Sequence, residues 1–234
     1  MSTTTKFYTR AEIIRKVQLD LDLEDEEFVQ SDEMIGYVNE AVEETEKIVH
    51  DLHEDYFLRK SDPIAVVSGE DEIDLPSDIF ANKIRKLVYV SGGRAYVVER
   101  IKNWHKFEEY TDSRLSSPGE TDEWKYFITN AAPGERKILL SPPPAGSGNL
   151  LTAWYLRRAN RLEEDDDVLD IPEAYNFVVQ YVKVRCTHKE KLPADKEEAI
   201  LLAMRGALEA TLTGMVPDDE NELEMDLSIY EEMN

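Results

Sequence analysis

The stretch "LSPPPAGSGNLLTAWYLRR", Leu140–Arg158, decides how the chain is read. Pro142, Pro143 and Pro144 end one apolar run, because proline cannot donate to a central β-ladder. A loop with two glycines follows. "LLTAWYLRR" then has the apolar and aromatic bulk of a strand. Both ends of the chain have helical periodicity instead, so the middle reads as a β insertion between helical flanks.

Outward from that strand, the period is two residues back to Pro63. "IAVV" and the end of "SGEDEIDLP" read as short strands. "IRKLVYVSGGRAYVVER" is a hairpin signal, since Gly92-Gly93 supplies the positive φ angles of a tight turn. "NWHKFEEY" allows one or two helical turns. "WKYFIT" and "RKILLS" are two more strands. About seven short strands in this region predict a small antiparallel sandwich or barrel over 63–158.

The flanks carry the helices. "TRAE" offers a capping box, Thr9 with Glu12, ahead of Ile13, Ile14, Val17 and Leu21. Ser31 and Asp32 open a long helix with an apolar seam at Ile35, Val38, Val42, Thr45, Val49, Leu52 and Tyr56. Its other faces are acidic, including Glu40, Glu43, Glu44 and Asp51. Asp170 reads as the cap of a helix entered at Pro172 and Glu173. One face of that helix carries Tyr175, Val178, Val179, Val182 and Cys186. A last helix, about 194–213, places Ala199, Ala203, Gly206, Ala207 and Ala210 at a spacing that lets a neighbouring backbone approach. Residues 215–234 hold eight acidic side chains and no basic one, with Leu223, Leu227 and Tyr230 as an apolar stripe able to order on a partner. The expected organisation is therefore α+β: an α-helical bundle (1–62 and 159–214) with an inserted small antiparallel β-sandwich or barrel (63–158), then an acidic tail (215–234).

Charge is partitioned the same way. Of 50 acidic and 27 basic residues, 1–62 hold 17 and 7, 63–158 hold 13 and 13, and 159–234 hold 20 and 7. A net charge of −23 argues against gripping nucleic acid through its phosphates. With no apolar run of ~18 residues and no basic, apolar leader, the sequence reads as a soluble protein. A single cysteine, Cys186, excludes an internal disulfide framework and places the chain in a reducing compartment.

No catalytic constellation emerges. His50 and His53 with Glu46 are a weak metal motif, lacking an accompanying HExxH pattern. His105 reads as a loop residue and His188 as a helix-end cation. "SGEDE", "AGSGN" and "SGGRAY" match no phosphate-binding fingerprint. Arg157, Arg158 and Arg161 read as salt-bridge partners of "EEDDD", 163–167. We expect no enzyme activity, cofactor or metal.

The order of the pieces resembles tailed-bacteriophage head-to-tail adaptors, those of short-tailed phages above all. A short helix precedes "SDEMIGYVNEAVEETEKIV", followed by "VVSGEDEIDLPSDI", "IRKLVYV", "ILLSPPPAGSGNLLTAWYLRR" and "LDIPEAYNFVVQYVKVRC". The carriers are Leu75-Pro76, Pro142–Pro144, Trp154-Tyr155 and Ile171–Glu173, over roughly residues 9–212. The resemblance implies a homo-oligomeric ring, commonly of twelve subunits, in the virion neck. It would dock on the portal protein and on tail nozzle or fibre proteins, and DNA would pass without specific binding. In that setting Ile35, Val38, Val42, Val49, Leu52, Ala203, Gly206 and Ala207 are expected in a bundle seam or between subunits. Glu40, Glu43, Glu44 and Asp51 are expected to line the channel, and Leu223, Leu227 and Tyr230 to contact the portal. The rival reading is an acidic DNA mimic or regulatory protein-binding module.

Overall fold

The computed structural model describes residues 6–22, 29–116, 123–132, 135–144 and 149–214. They divide into two compact units, one drawn from Met1–His53 and Asn160–Asn234, the other from Glu54–Ala159. In the first unit α1 (Arg10–Leu21), α2 (Ser31–Leu52), α4 (Tyr175–Lys189) and α5 (Asp195–Thr213) pack together. The second holds α3 (Trp104–Ser116) and eight strands: β1 (Leu58–Lys60), β2 (Ile64–Val66), β3 (Glu72–Asp74), β4 (Ile79–Ser91), β5 (Arg94–Arg100), β6 (Trp124–Ala132), β7 (Glu135–Ser141) and β8 (Asn149–Arg157).

Helix starts follow the local chemistry. The Glu12 N–H donates to the Thr9 hydroxyl at 3.3 Å, and the Thr9 N–H donates to the Glu12 carboxylate at 3.1 Å, which satisfies two orphan donors of α1. The Gln30 N–H makes the same return bond to Glu33 at 3.0 Å ahead of α2. Asp170 does not cap the next helix. Its carboxylate accepts the Asn160 backbone and side-chain N–H groups at 2.7 and 3.1 Å. Pro172 instead opens a 3₁₀ turn, Pro172–Ala174, that leads into α4.

In the helical unit α4 contacts α1, α2 and α5. Phe177, Val178, Val179, Val182, Val184 and Cys186 are all buried, so α4 is apolar around most of its circumference. Ile13 and Val17 of α1 and Met34, Val38, Ala41, Val42, Ile48 and Val49 of α2 are buried too. Asn39, buried in α2, ties the returning chain to this core. It accepts the Leu162 N–H at 2.8 Å and donates to the Leu162 carbonyl at 3.3 Å. Arg10, also buried, donates to the Glu163 carbonyl and pairs with Asp165 at 2.7 Å.

The expected bundle with an inserted antiparallel sandwich or barrel is overturned. The β unit is one curled, mixed half-barrel sheet, ordered β1-β8-β4-β5-β6-β7-β3, with β2 also on β8. The hairpin between β4 and β5 turns at Gly92 and Gly93, φ 57° and 78°. β5 then changes partner along its length. Residues up to Val97 pair antiparallel with β4, and Val98–Arg100 pair parallel with β6. Parallel neighbours need a long crossover, which α3 supplies. One sheet thus curls across β5 rather than splitting into two layers. Ala81 and Asn82, both at positive φ, sit at a register break that bends β4. The concave face encloses Leu87, Tyr89, Val98, Trp124, Ile138, Leu140, Leu151 and Tyr155.

β8, last in sequence, is interior in the sheet, flanked by β4 on one side and β1 and β2 on the other. Ser61 bridges the gap between β1 and β2. Its N–H donates to the Ala153 carbonyl at 2.8 Å, and its hydroxyl accepts the Ala153 N–H at 3.0 Å. Leu151, Thr152, Ala153, Tyr155 and Leu156 are buried accordingly, which explains a run too apolar for an edge strand.

Two outcomes test the helical unit. Asn39→Ala orphans the buried Leu162 groups and should lower stability by about 1–3 kcal/mol in a denaturant titration. Asp167 accepts the Glu164 and Glu163 N–H groups at 2.7 Å each, and these bonds hold its carboxyl below the ordinary value near 3.8. Its stabilisation is complete above that value and is lost as pH falls through the lower folded one. The fall in Tm below about pH 4 should therefore be shallower in Asp167→Asn than in the parent chain.

Candidate interaction surfaces

Basic side chains projecting from α4 meet acids on the helices packed around it. Lys183 meets Asp20 of α1 at 3.5 Å and Glu197 of α5 at 3.9 Å. Arg185 meets Glu40 of α2 at 3.0 Å, Lys189 pairs with Glu33 of α2, and His188 lies 2.7 Å from Glu198 of α5. The bond from Lys189 and the Gln30 N–H hold the Glu33 carboxyl below its ordinary value, and Lys16 does the same for Asp20. Pairs this exposed contribute only about 0–1 kcal/mol each. Their larger effect is to place unlike charges where α4 crosses α1, α2 and α5.

The four residues expected to line a channel divide accordingly. Glu43 and Asp51 are exposed, whereas Glu40 is taken by Arg185 and Glu44 by Lys47, the latter at 2.5 Å. Of the expected seam, Val38, Val42 and Val49 are buried, Ile35 is half-buried and Leu52 lies exposed near the end of α2. Ala203, Gly206 and Ala207 are exposed on α5 with Ala199 and Ala210, and Leu202 among them is 72% exposed. This small-residue face has no partner helix within the described chain. Nothing lies within 4 Å of where a Gly206 Cβ would stand. Leu223, Leu227 and Tyr230 lie outside the described residues.

The groups considered for chemistry are occupied structurally. His50 is buried 4.0 Å from Glu46, and the His53 Nε2 sits 2.7 Å from the Leu212 carbonyl. Among the described residues no cluster of three or more His, Cys, Asp or Glu side chains could hold a metal. His105 belongs to α3, not to a loop, beside Glu108 and Glu109. Burial pushes the Cys186 thiol up to about 11, so it is no thiolate nucleophile near neutrality. The arginine cluster is split. Arg157 and Arg158 belong to the β unit, against Phe57 and Phe80, and Arg161 lies 3.9 Å from Glu163 of the acidic run.

Sequence reasoning missed a group in the β unit. Arg136, Lys137 and Arg158 line a cavity of about 530 Å³ beside Leu75. Arg158 lies far from Arg136 and Lys137 in sequence, and the sheet order brings them together. No described helix is long and apolar enough to cross a membrane.

A family model described as SU10 adaptor protein matches residues 8–225. The match extends beyond the 9–212 span of the motifs and reaches Leu223 in the acidic tail. No curated protein matches the chain.

The open α5 face makes a direct prediction. Gly206→Ala meets no neighbour and removes a helix-interior glycine, so it should raise stability by about 0.5–1 kcal/mol in urea unfolding.

Proposed function

The chain belongs to the SU10 adaptor protein family, a family of structural adaptors of bacteriophage virions, and from that premise we propose that it forms a ring beneath the portal. In this reading the ring joins the capsid to the tail in the virion neck and leaves a passage for DNA. The open face of α5 packs against the next subunit. Small residues there let two helix backbones approach closely, and Leu202 adds apolar area.

The observation that carries the DNA passage is the charge partition. The residues of the helical unit include 34 acidic and 12 basic side chains, against 16 and 15 in the β unit. A bore bordered by the helical unit repels phosphates and releases few counterions, so DNA slides instead of sticking. The near-neutral β unit is suited to protein contacts, with tail nozzle or fibre components as its partners.

An acidic DNA mimic is the rival. It needs a continuous array of free carboxylates, whereas Glu33, Glu40 and Glu197 are each paired with an α4 cation.

The test is assembly. Mixed with purified portal, the chain should sediment as a ring-bearing complex that retains no duplex DNA at ~0.15 M salt. Ala203→Trp should keep the parent Tm and lose the ring. Nanomolar DNA binding, or rings unaffected by the tryptophan, would overturn the reading.

A further inference from the structure

In the β unit, the segment Asp74–Ser77 between β3 and β4 separates two cavities of opposite character. One, of about 540 Å³, is lined by Asp62, Asp74 and Asp78 together with Arg59. Asp78 is already engaged there, by the Tyr155 hydroxyl at 2.7 Å and by Arg59 at 3.2 Å. The other is the cavity of about 530 Å³ lined by Arg136, Lys137, Arg158, Asp74, Leu75 and Ser77. Lys137 pairs with Glu72 at 2.9 Å. Among the described residues neither arginine is ion-paired, although Asp74 lines the same cavity. Arg136 donates to the Ile79 carbonyl at 2.8 Å, and Arg158 lies with its guanidinium 5.9 Å from the Phe80 ring centre.

Guanidinium forks match carboxylate and phosphate oxygens two at a time. The surroundings select between them. Asp74 lines the same cavity, which favours carboxylates spaced along a chain over the denser charge of a phosphate backbone, and a cavity this size admits one or two side chains rather than a duplex. An extended acidic peptide fits both limits, with Pro76 as an apolar contact for its larger side chains.

The chain holds such a peptide. Residues 215–234 contain eight carboxylates, no basic side chain, and Leu223, Leu227 and Tyr230. Twenty residues span up to ~66 Å when extended, ample for reaching an adjoining copy. We propose that this segment of a neighbouring copy lays its carboxylates on Arg136 and Arg158 and links the two copies. The segment thereby gains a partner inside the assembly, in place of the portal docking that the sequence alone suggests. The proposal needs copies side by side and so rests on the ring reading.

The test is a labelled synthetic peptide of residues 215–234, titrated with the full chain and followed by fluorescence anisotropy. Saturable binding is expected at ~0.05 M salt, weakening as salt rises. Arg158→Gln, which breaks no hydrogen bond to the fold, should weaken it several-fold. Arg136→Gln with Arg158→Gln should weaken it at least ~tenfold, the equivalent of one lost charge-assisted bond. A peptide with all eight acids as amides should not bind. No binding to the parent chain, equal binding to the variants, or equal binding of the amide peptide would overturn the proposal. So would a duplex DNA probe whose binding is lost in the same variants. Parallel sedimentation separates the two readings. Peptide capture without rings overturns the ring alone, and rings without peptide capture overturn this inference alone.

Discussion

α4 sets the conditions for the rest of the helical unit. A unit with 34 acidic and 12 basic residues repels itself, and compaction requires cations where the helices meet. α4 supplies them from a single helix: Lys183, Arg185 and Lys189 reach acids on α1, α2 and α5. Between those positions its valines and Phe177 fill the core. The apolar burial provides most of the free energy, and the cations decide which acidic surfaces can come together. Other carboxylates of α2, such as Glu43 and Asp51, are exposed.

The β unit depends on a different constraint, the change of partner along β5. Because Val97 and Val98 sit at the point where pairing passes from β4 to β6, one sheet wraps around its own core. That curl brings Arg136 of β7 and Arg158 beyond β8 to the same cavity. Neither residue would matter in isolation. The sheet order brings them to one cavity, which Asp74 also lines.

What the sequence made legible were features whose signal is local. Thr9 with Glu12, the Gly92-Gly93 turn and the buried stripe of α2 each follow from residues a few positions apart. Non-local choices were not legible. Asp170 has the spacing of a cap, but Asn160 offers it two donors ten residues upstream. The helical turns of "NWHKFEEY" were visible, yet nothing local says that α3 carries the chain across to a parallel pairing. β1 escaped notice because Leu58–Lys60 is exposed and lacks an apolar alternation. The candidate surfaces were legible as composition only. The small residues of α5 were readable at once, but only the packed structure leaves them open while α4 is enclosed.

The adaptor family and the charge partition meet in one claim, that the acidic helical unit borders a passage for a polyanion. An electron cryo-microscopy reconstruction of the assembled neck measures this directly. The account predicts a ring in which Glu43 and Asp51 of α2 face the bore and the β units lie away from it. A ring with the β units around the bore and those carboxylates turned outward would contradict it.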